Sequence, residues 1–170
     1  MIETLRPNGA GDETTLSQYP GSDANWDKVD DVTPDYDDTY VFALGGTYKR
    51  DLYALPAHSA GSGTINSVKV YARAKRQSSA YDSEISIKTN NTVEDSSAFR
   101  IGTYWELNSI QYNTNPITEN AWTWEEIDAL QIGVRMWGTP SYWCRCTQVY
   151  VEVDYTPIVA VGRSFGFIIG

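Results

Sequence analysis

Several things are scarce in this chain, and each shortage excludes a class of protein. Apolar runs are short: nowhere do roughly 18 consecutive apolar residues occur, the length a membrane-spanning helix needs. Histidine occurs once, as His58, and cysteine twice, as Cys144 and Cys146. Three such ligands are too few for a closed zinc site. On a strand, residues i and i+2 point the same way, with Cα atoms near the upper limit for a bridge. Two reduced thiols are therefore expected rather than a mutual disulfide. Basic groups are also scarce, with 13 Lys+Arg against 22 Asp+Glu and a net charge of −9. Phosphate binding needs a basic surface, so no direct nucleic-acid partner is expected. Met1–Arg6 carries neither a basic n-region nor an apolar h-region, so no secretory signal is read there. The expectation is synthesis in the cytoplasm, with exit by lysis or inside an assembled particle. An extracellular filament or surface location is the alternative, through a signal already removed. Internal repeats of about 20–50 residues are absent, which sets aside solenoids and propellers.

What is present points to one globular domain. The 170 residues are enough to bury a core, and a hydrophobic share of 41% excludes wholesale disorder. The charge is unevenly placed. Residues 1–39 hold ten acids and two bases, a net of −8, whereas residues 40–170 hold twelve acids and eleven bases, a net of −1. An acidic front end is joined to a nearly neutral body.

The composition favours strands: 16 Thr, 12 Val, 12 Ile and 12 Tyr stand against 7 Leu. β-Branched and aromatic residues suit a pleated surface. Apolar residues recur with period two, not 3.6. Val68, Val70, Ala72 and Ala74 alternate with Lys69, Tyr71, Arg73 and Lys75. Ile85 and Ile87 alternate with Ser86 and Lys88. Leu130, Ile132, Val134 and Met136 alternate with Gln131, Gly133, Arg135 and Trp137. Val149, Val151, Val153 and Tyr155 alternate with Gln148, Tyr150, Glu152 and Asp154. Less regular candidates lie at 2–6, 39–44, 48–55 and 98–112. Turn residues separate them, at Pro7-Asn8-Gly9, Gly45-Gly46, 58–63, Asn90-Asn91, Asn115-Pro116 and Gly138-Thr139-Pro140. About eight strands with one wet and one buried face predict an all-β, antiparallel two-sheet sandwich, expected to be a jelly roll. One short helix is expected near 123–129, with Thr123 as N-cap and Glu126 closing a capping box. A second short turn is expected at Asn25–Asp31. The domain expected is 1–156, with an acidic segment at 23–38 and an apolar C-terminal arm at 157–170.

Few residues form catalytic patterns. His58 sits in a Ser/Gly loop with no nucleophile elbow near it, and an exposed loop histidine is expected. Glu125, Glu126 and Asp128 invite comparison with a glycosidase pair, but acids in a first helical turn also suit the helix dipole. No cofactor is expected. Asp35, Asp37 and Asp38 are candidates for a structural Ca²⁺, which takes carboxylate and loop-carbonyl oxygens. They lack the EF-hand pattern. The competing expectation is a solvated acidic loop, or one paired with the basic wet face of strand 67–76.

Two features bear on binding. Six Trp and twelve Tyr are many for this length. Trp105, Trp137 and Tyr150 are candidate platforms for a surface glycan, since parity puts Trp137 and Tyr150 opposite the apolar stripes. Trp122 and Trp124 are expected to pack beside the short helix. Cys144 and Cys146 fall on the wet face by the same parity, unless a bulge near Trp143 reverses it. The second feature is the arm. Ile158, Val159, Val161, Phe165, Phe167, Ile168 and Ile169 form a nearly uncharged strip that would be sticky if free. It is expected to dock on another copy of the chain or on a capsid or tail scaffold protein, by strand addition or groove filling. Folding back onto its own sandwich is the alternative.

Two further segments carry a resemblance: Ala121-Trp122-Thr123-Trp124-Glu125-Glu126-Ile127-Asp128-Ala129-Leu130-Gln131-Ile132-Gly133-Val134, and 146–157, Cys-Thr-Gln-Val-Tyr-Val-Glu-Val-Asp-Tyr-Thr-Pro. With Leu5–Gly9 and Trp26–Asp31, the chain resembles small β-sandwich proteins encoded by tailed phages and related viral genomes, over about residues 2–157. The resemblance implies a virion structural role such as capsid decoration, fibre or tail component, and a place in the virion. It implies no catalytic residue. Two functions are therefore expected as rivals. One is a non-enzymatic assembly protein that docks through its arm, and the other is a carbohydrate-binding or adhesion module.

Overall fold

The structure is a computed structural model that describes residues 1–78 and 82–158. In chain order the elements are β1 (Ile2–Leu5), β2 (Gly9–Thr14), β3 (Ser17–Tyr19), a 3₁₀ turn (Asn25–Lys28), β4 (Tyr40–Ala43), β5 (Tyr48–Ala54) and β6 (Gly63–Arg76). There follow β7 (Asp82–Thr89), β8 (Thr92–Asp95), β9 (Phe99–Arg100), β10 (Glu106–Tyr112), α1 (Trp124–Asp128), β11 (Gln131–Trp137) and β12 (Cys144–Pro157). Two antiparallel sheets of six strands face each other. The first runs β10-β6-β12-β4-β3, with β1 on β12. The second runs β2-β5-β11-β7-β8, with β9 on β7. The order β10-β6-β12-β4 facing β5-β11-β7-β8, with successive strands crossing between sheets, is that of a jelly roll.

The eight expected segments are here as nine strands, and three short ones, β2, β3 and β8, join them. β2, β3, β8 and β9 carry no apolar stripe because they sit near sheet edges with little to bury. The expected strand 98–112 divides into β9 and β10, and Gly102, Tyr104 and Trp105 lie in the loop between. Among the described residues no helix is long and apolar enough to cross a membrane.

The predicted stripes make the core. Val68, Val70, Ala72 and Ala74 of β6 and Val149, Val151 and Val153 of β12 face Ile85 and Ile87 of β7 and Ile132, Val134 and Met136 of β11. Each is essentially buried, and a buried Val or Ile contributes about 1.5–3 kcal/mol. Ile127, Leu130 and Trp122 close one end. Helix α1 has the expected capping box: Thr123 Oγ1 accepts from the Glu126 amide at 3.2 Å, and Glu126 Oε2 accepts from the Thr123 amide at 3.0 Å. Trp122 donates to the Tyr112 carbonyl at 3.3 Å and Trp124 to the Gly63 carbonyl at 2.9 Å, so both pack beside the helix.

One irregularity shapes everything above the first sheet. Cys146 pairs with Ala74 and Gln148 with Arg73, so β12 carries one extra residue, Thr147. Such a bulge reverses side-chain parity. Cys144 and Cys146 therefore point into the core with the valines, as free thiols. The bulge lies three to four residues beyond Trp143, and the even-to-odd switch of the apolar stripe at 146–149 marks it. Thr147 and Gln148 turn toward the acidic segment. Thr147 Oγ1 donates to the Thr39 carbonyl at 2.9 Å, and Gln148 Nε2 to the Asp31 carbonyl at 2.7 Å. The bulge thus anchors residues 31–39 across the sheet.

Candidate functional site

The outer faces of the two sheets differ in kind. On the second sheet several outer-face charges pair with one another. Arg50 pairs with Glu13 and Asp95, Arg135 with Glu84, and Lys88 with Asp12. The Arg135 guanidinium also covers the Tyr48 ring, 3.9 Å from its centroid. Ion pairs thus cover the middle of this face.

The first sheet instead presents aromatic rings interleaved with cations. Parity on β4 turns Val41 and Ala43 inward and Tyr40 and Phe42 outward. Tyr19 of β3 lies opposite Tyr40 and stacks on it, centroids 5.1 Å apart. On β12, Arg145 lies over both the Trp143 ring at 3.5 Å and the Tyr40 ring at 4.1 Å. Lys75 of β6 stands 4.7 Å from the Trp105 ring and 5.7 Å from that of Trp143. Both cations share one carboxylate: Lys75 Nζ donates to Asp37 Oδ2 at 2.7 Å, and Arg145 Nη1 to Asp37 Oδ1 at 3.1 Å. The hydrogen bond from Lys75 holds the Asp37 carboxyl below the usual carboxylate range.

Gln18, Tyr19, Tyr40, Phe42, Trp143 and Arg145 enclose an open groove of about 280 Å³. Its floor is aromatic and its rim polar. Gln18 donates through Nε2 to the Asp23 carbonyl at 2.8 Å, while its Oε1 has no hydrogen-bond partner among the described residues. Arg145 Nε, buried between rings, has none either. Tyr19 is 50% exposed, so the ring face turned away from Tyr40 is open.

The predicted platforms are divided by the fold. Trp105 and Tyr150 come to this face, whereas Trp137 lies on the outer face of the second sheet. Tyr150 offers no free ring. Tyr71 of β6 stacks on one side at 4.5 Å with planes 8° apart, and Arg6, following β1, covers the other at 4.7 Å. β6 and β1 flank β12 on opposite sides, so the phenol is sandwiched. Tyr19, Tyr40, Phe42 and Trp143 were not singled out from sequence. The alternation Tyr40-Val41-Phe42-Ala43 was the available signal, in a strand too short to weigh alone.

The three aspartates do not converge. Asp35 is spent on hydroxyls, accepting from Thr39 Oγ1 at 2.7 Å and sharing with the Thr39 carbonyl the one proton of Thr147 Oγ1, which lies 3.0 Å away. Asp37 faces Lys75 and Arg145, and Asp38 is exposed. Among the described residues no group of three metal-ligating side chains comes together. Of the two competing expectations, the geometry matches the pairing of the acidic loop with the basic wet face of strand 67–76.

At the opposite end, His58 is not a free loop side chain. Its Nδ1 lies 2.7 Å from Asp128 Oδ1 and its ring stacks on Trp124 at 4.5 Å. Ser59 Oγ donates to Glu3 at 2.7 Å, away from that histidine. Glu126 accepts from Asn90 and Asn115 besides capping α1. These groups fasten loops. Of the arm residues Ile158 is described and is 73% exposed; Val159, Val161, Phe165, Phe167, Ile168 and Ile169 lie outside the described residues.

No family model and no curated protein matches the chain. The solved structures similar to it include two multidomain glycoside hydrolases. One is the CBM22-1–GH10 portion of Clostridium thermocellum endo-1,4-β-D-xylanase 10B, complexed with xylohexaose. It is 7% identical at a TM-score of 0.42, over 88% of this chain and 30% of that one. The other is the Podospora anserina GH26-CBM35 β-(1,4)-mannanase, 12% identical at a TM-score of 0.33, over 94% of this chain and 29% of that one. The chain thus spans less than a third of either structure, and at these scores the likeness carries neither a ligand nor an activity to it.

Proposed function

We propose that this chain is a non-catalytic carbohydrate-binding module whose saccharide lies in the groove on the outer face of the first sheet. One observation carries the reading: Tyr19, Phe42 and Trp143 line a groove on the solvent side of a sheet, Tyr40 lies buried beneath Tyr19 and Arg145 as their support, and Gln18 and Arg145 stand at the rim. A sugar ring has an apolar C–H face and a hydroxyl edge. The floor takes the face, and the polar rim fixes the edge. The groove lies just below the usual span of ligand pockets, about 300–1,000 Å³, and its open form fits a segment of a longer chain. Turnover is not part of the reading, since the Ser59 hydroxyl is bonded to Glu3 and not to His58, so the two make no nucleophile–base pair. A glycan array, followed by calorimetry on the best ligand, tests it. Tyr19→Ala and Trp143→Ala are expected to weaken binding at least tenfold while the protein stays folded. Absence of any bound glycan sinks the reading, and so does binding indifferent to both substitutions.

A second reading is a structural part of a particle or filament that docks through 157–170. It is supported by the apolar composition of that segment and by the exposure of Ile158 where β12 ends. Removal of 158–170 is expected to leave a folded body that no longer self-associates or joins its scaffold. Unchanged association would exclude it.

A further inference from the structure

The charges of the first sheet's outer face are not all matched. Lys75 and Arg145 share Asp37, and Lys69 lies across from Glu152 in the β6–β12 register. Arg73, between Tyr71 and Lys75 on β6, has no carboxylate within ion-pair distance among the described residues. Its Nε is buried without a hydrogen-bond partner. Its guanidinium carbon stands 6.0 Å from the centroid of the Tyr36 ring, and its charge also reaches the Tyr150 phenol.

Tyr36 is itself unusual. Its φ is 62°, the left-handed region that a bulky residue enters only at a cost. The turn closed by the Asp38 amide on the Asp35 carbonyl, at 3.3 Å, keeps it there. The result is a phenol 44% exposed, 6.3 Å from the Trp105 ring and tilted to it by 52°. An exposed phenol and a half-buried indole thus stand beside an unmatched guanidinium. Of the loop's acids, Asp35 is turned to threonines and Asp37 to two cations, leaving Asp38 alone at the rim. Lys75 touches both Trp105 and Trp143 and so joins this corner to the groove.

We propose, resting on the carbohydrate reading above, that Tyr36, Trp105 and Arg73 form a subsite for an acidic sugar. Arg73 takes the carboxylate of a uronic acid residue, the ring of that residue lies against Tyr36 and Trp105, and its neighbour in the chain occupies the groove. A carboxylate suits a guanidinium fork that no protein acid already fills. A nucleic-acid strand is the disfavoured occupant. It carries a phosphate every 3.4 Å or so and would meet Asp38 and a chain of net charge −9.

The test compares uronate oligosaccharides (galacturonate, mannuronate and glucuronoxylan series) with their carboxyl-reduced counterparts and with a single-stranded oligonucleotide, on the full chain. A uronate ligand is expected to bind at least tenfold more tightly than its reduced form, with an affinity that falls as salt rises. Arg73→Met should erase that difference while leaving the reduced form bound. Tyr36→Gly should weaken uronate binding without lowering Tm, because glycine accepts the left-handed backbone. Equal binding of acid and reduced forms, both weakened by Tyr19→Ala, would overturn this subsite and leave the groove standing. No binding of either form would overturn the subsite, and the groove would then stand or fall by the glycan array. Tighter binding of the oligonucleotide than of every uronate would overturn the sugar in favour of nucleic acid.

Discussion

Lys75 Nζ and Asp37 Oδ2 lie 2.7 Å apart, joining the acidic front of the chain to the wet face of β6. The Asp37 carboxyl is held below its ordinary value of 3.8, chiefly by that hydrogen bond. A depressed carboxyl stabilises the fold above its unfolded pKa, and the contribution is lost as pH falls through the depressed value. The 35–38 loop is therefore expected to loosen from the sheet below about pH 4. Trp105 Nε1 lies 3.5 Å from Asp37, so indole fluorescence reports the event. Asp37→Asn should remove this acid transition at neutral-pH stability little changed, since the side chain is 56% exposed and its ion pairs are screened. An identical transition in the variant would show that Asp37 does not cause it.

Asp51 makes the complementary case, a carboxylate inside the fold. Oδ1 accepts from the amides of Thr15 and Leu16 at 2.7 and 2.8 Å, and Oδ2 accepts from Asn25 Nδ2 at 2.6 Å and Tyr53 OH at 3.2 Å. Burial raises its pKa against those four bonds. Asp51→Asn is expected to destabilise by about 1–3 kcal/mol in urea titration at pH 7, because the new amide sets a donor against Asn25. Asn25 cannot flip to compensate without losing its bond to the Leu16 carbonyl. The wild-type protein should lose stability as pH rises through the raised pKa, and the variant should lack that slope. A variant as stable as wild type at pH 7 would contradict this account.

How far these features were legible depends on what signals them. The four regular stripes follow from period-two burial, and Val68–Ala74 and Ile132–Met136 form the core as read. The capping box at Thr123 and Glu126 is a local chemical pattern, so it too was readable. Tyr150 shows the limit. Parity correctly put it on the wet face, but only the register of β6 and β1 against β12 covers both sides of its ring. The groove is harder still, since Tyr19, Tyr40 and Trp143 come from three separate stretches of chain. Its assembly depends on the Thr147 bulge, which fastens the acidic segment and whose sequence trace is one parity switch.

The two thiols should be inert. Burial pushes Cys144 up to about 11 and Cys146 up to about 12, and thiolate is the reactive species. Native protein at pH 8 is expected to consume no aromatic disulfide reagent within an hour, and two equivalents after denaturation. Rapid uptake of one equivalent by folded protein would mean that the end of the sandwich near Cys144 opens.

Tyr150 and Tyr19 should separate structure from binding. The sandwich of Tyr150 between Tyr71 and Arg6 ties β12 to β6 and to the segment after β1. Removing the ring forfeits an aromatic pair and a cation–π contact, together about 1–3 kcal/mol. Tyr19 has one face on Tyr40 and one in solvent, so its loss costs less to the fold. Tyr150→Ala is therefore expected to lower Tm by several degrees while leaving groove binding intact. Tyr19→Ala should do the reverse. If Tyr150→Ala abolishes saccharide binding at a temperature where the variant is fully folded, the contact surface extends along β12. The sugar would then lie across the Tyr71–Tyr150 pair instead of in the groove.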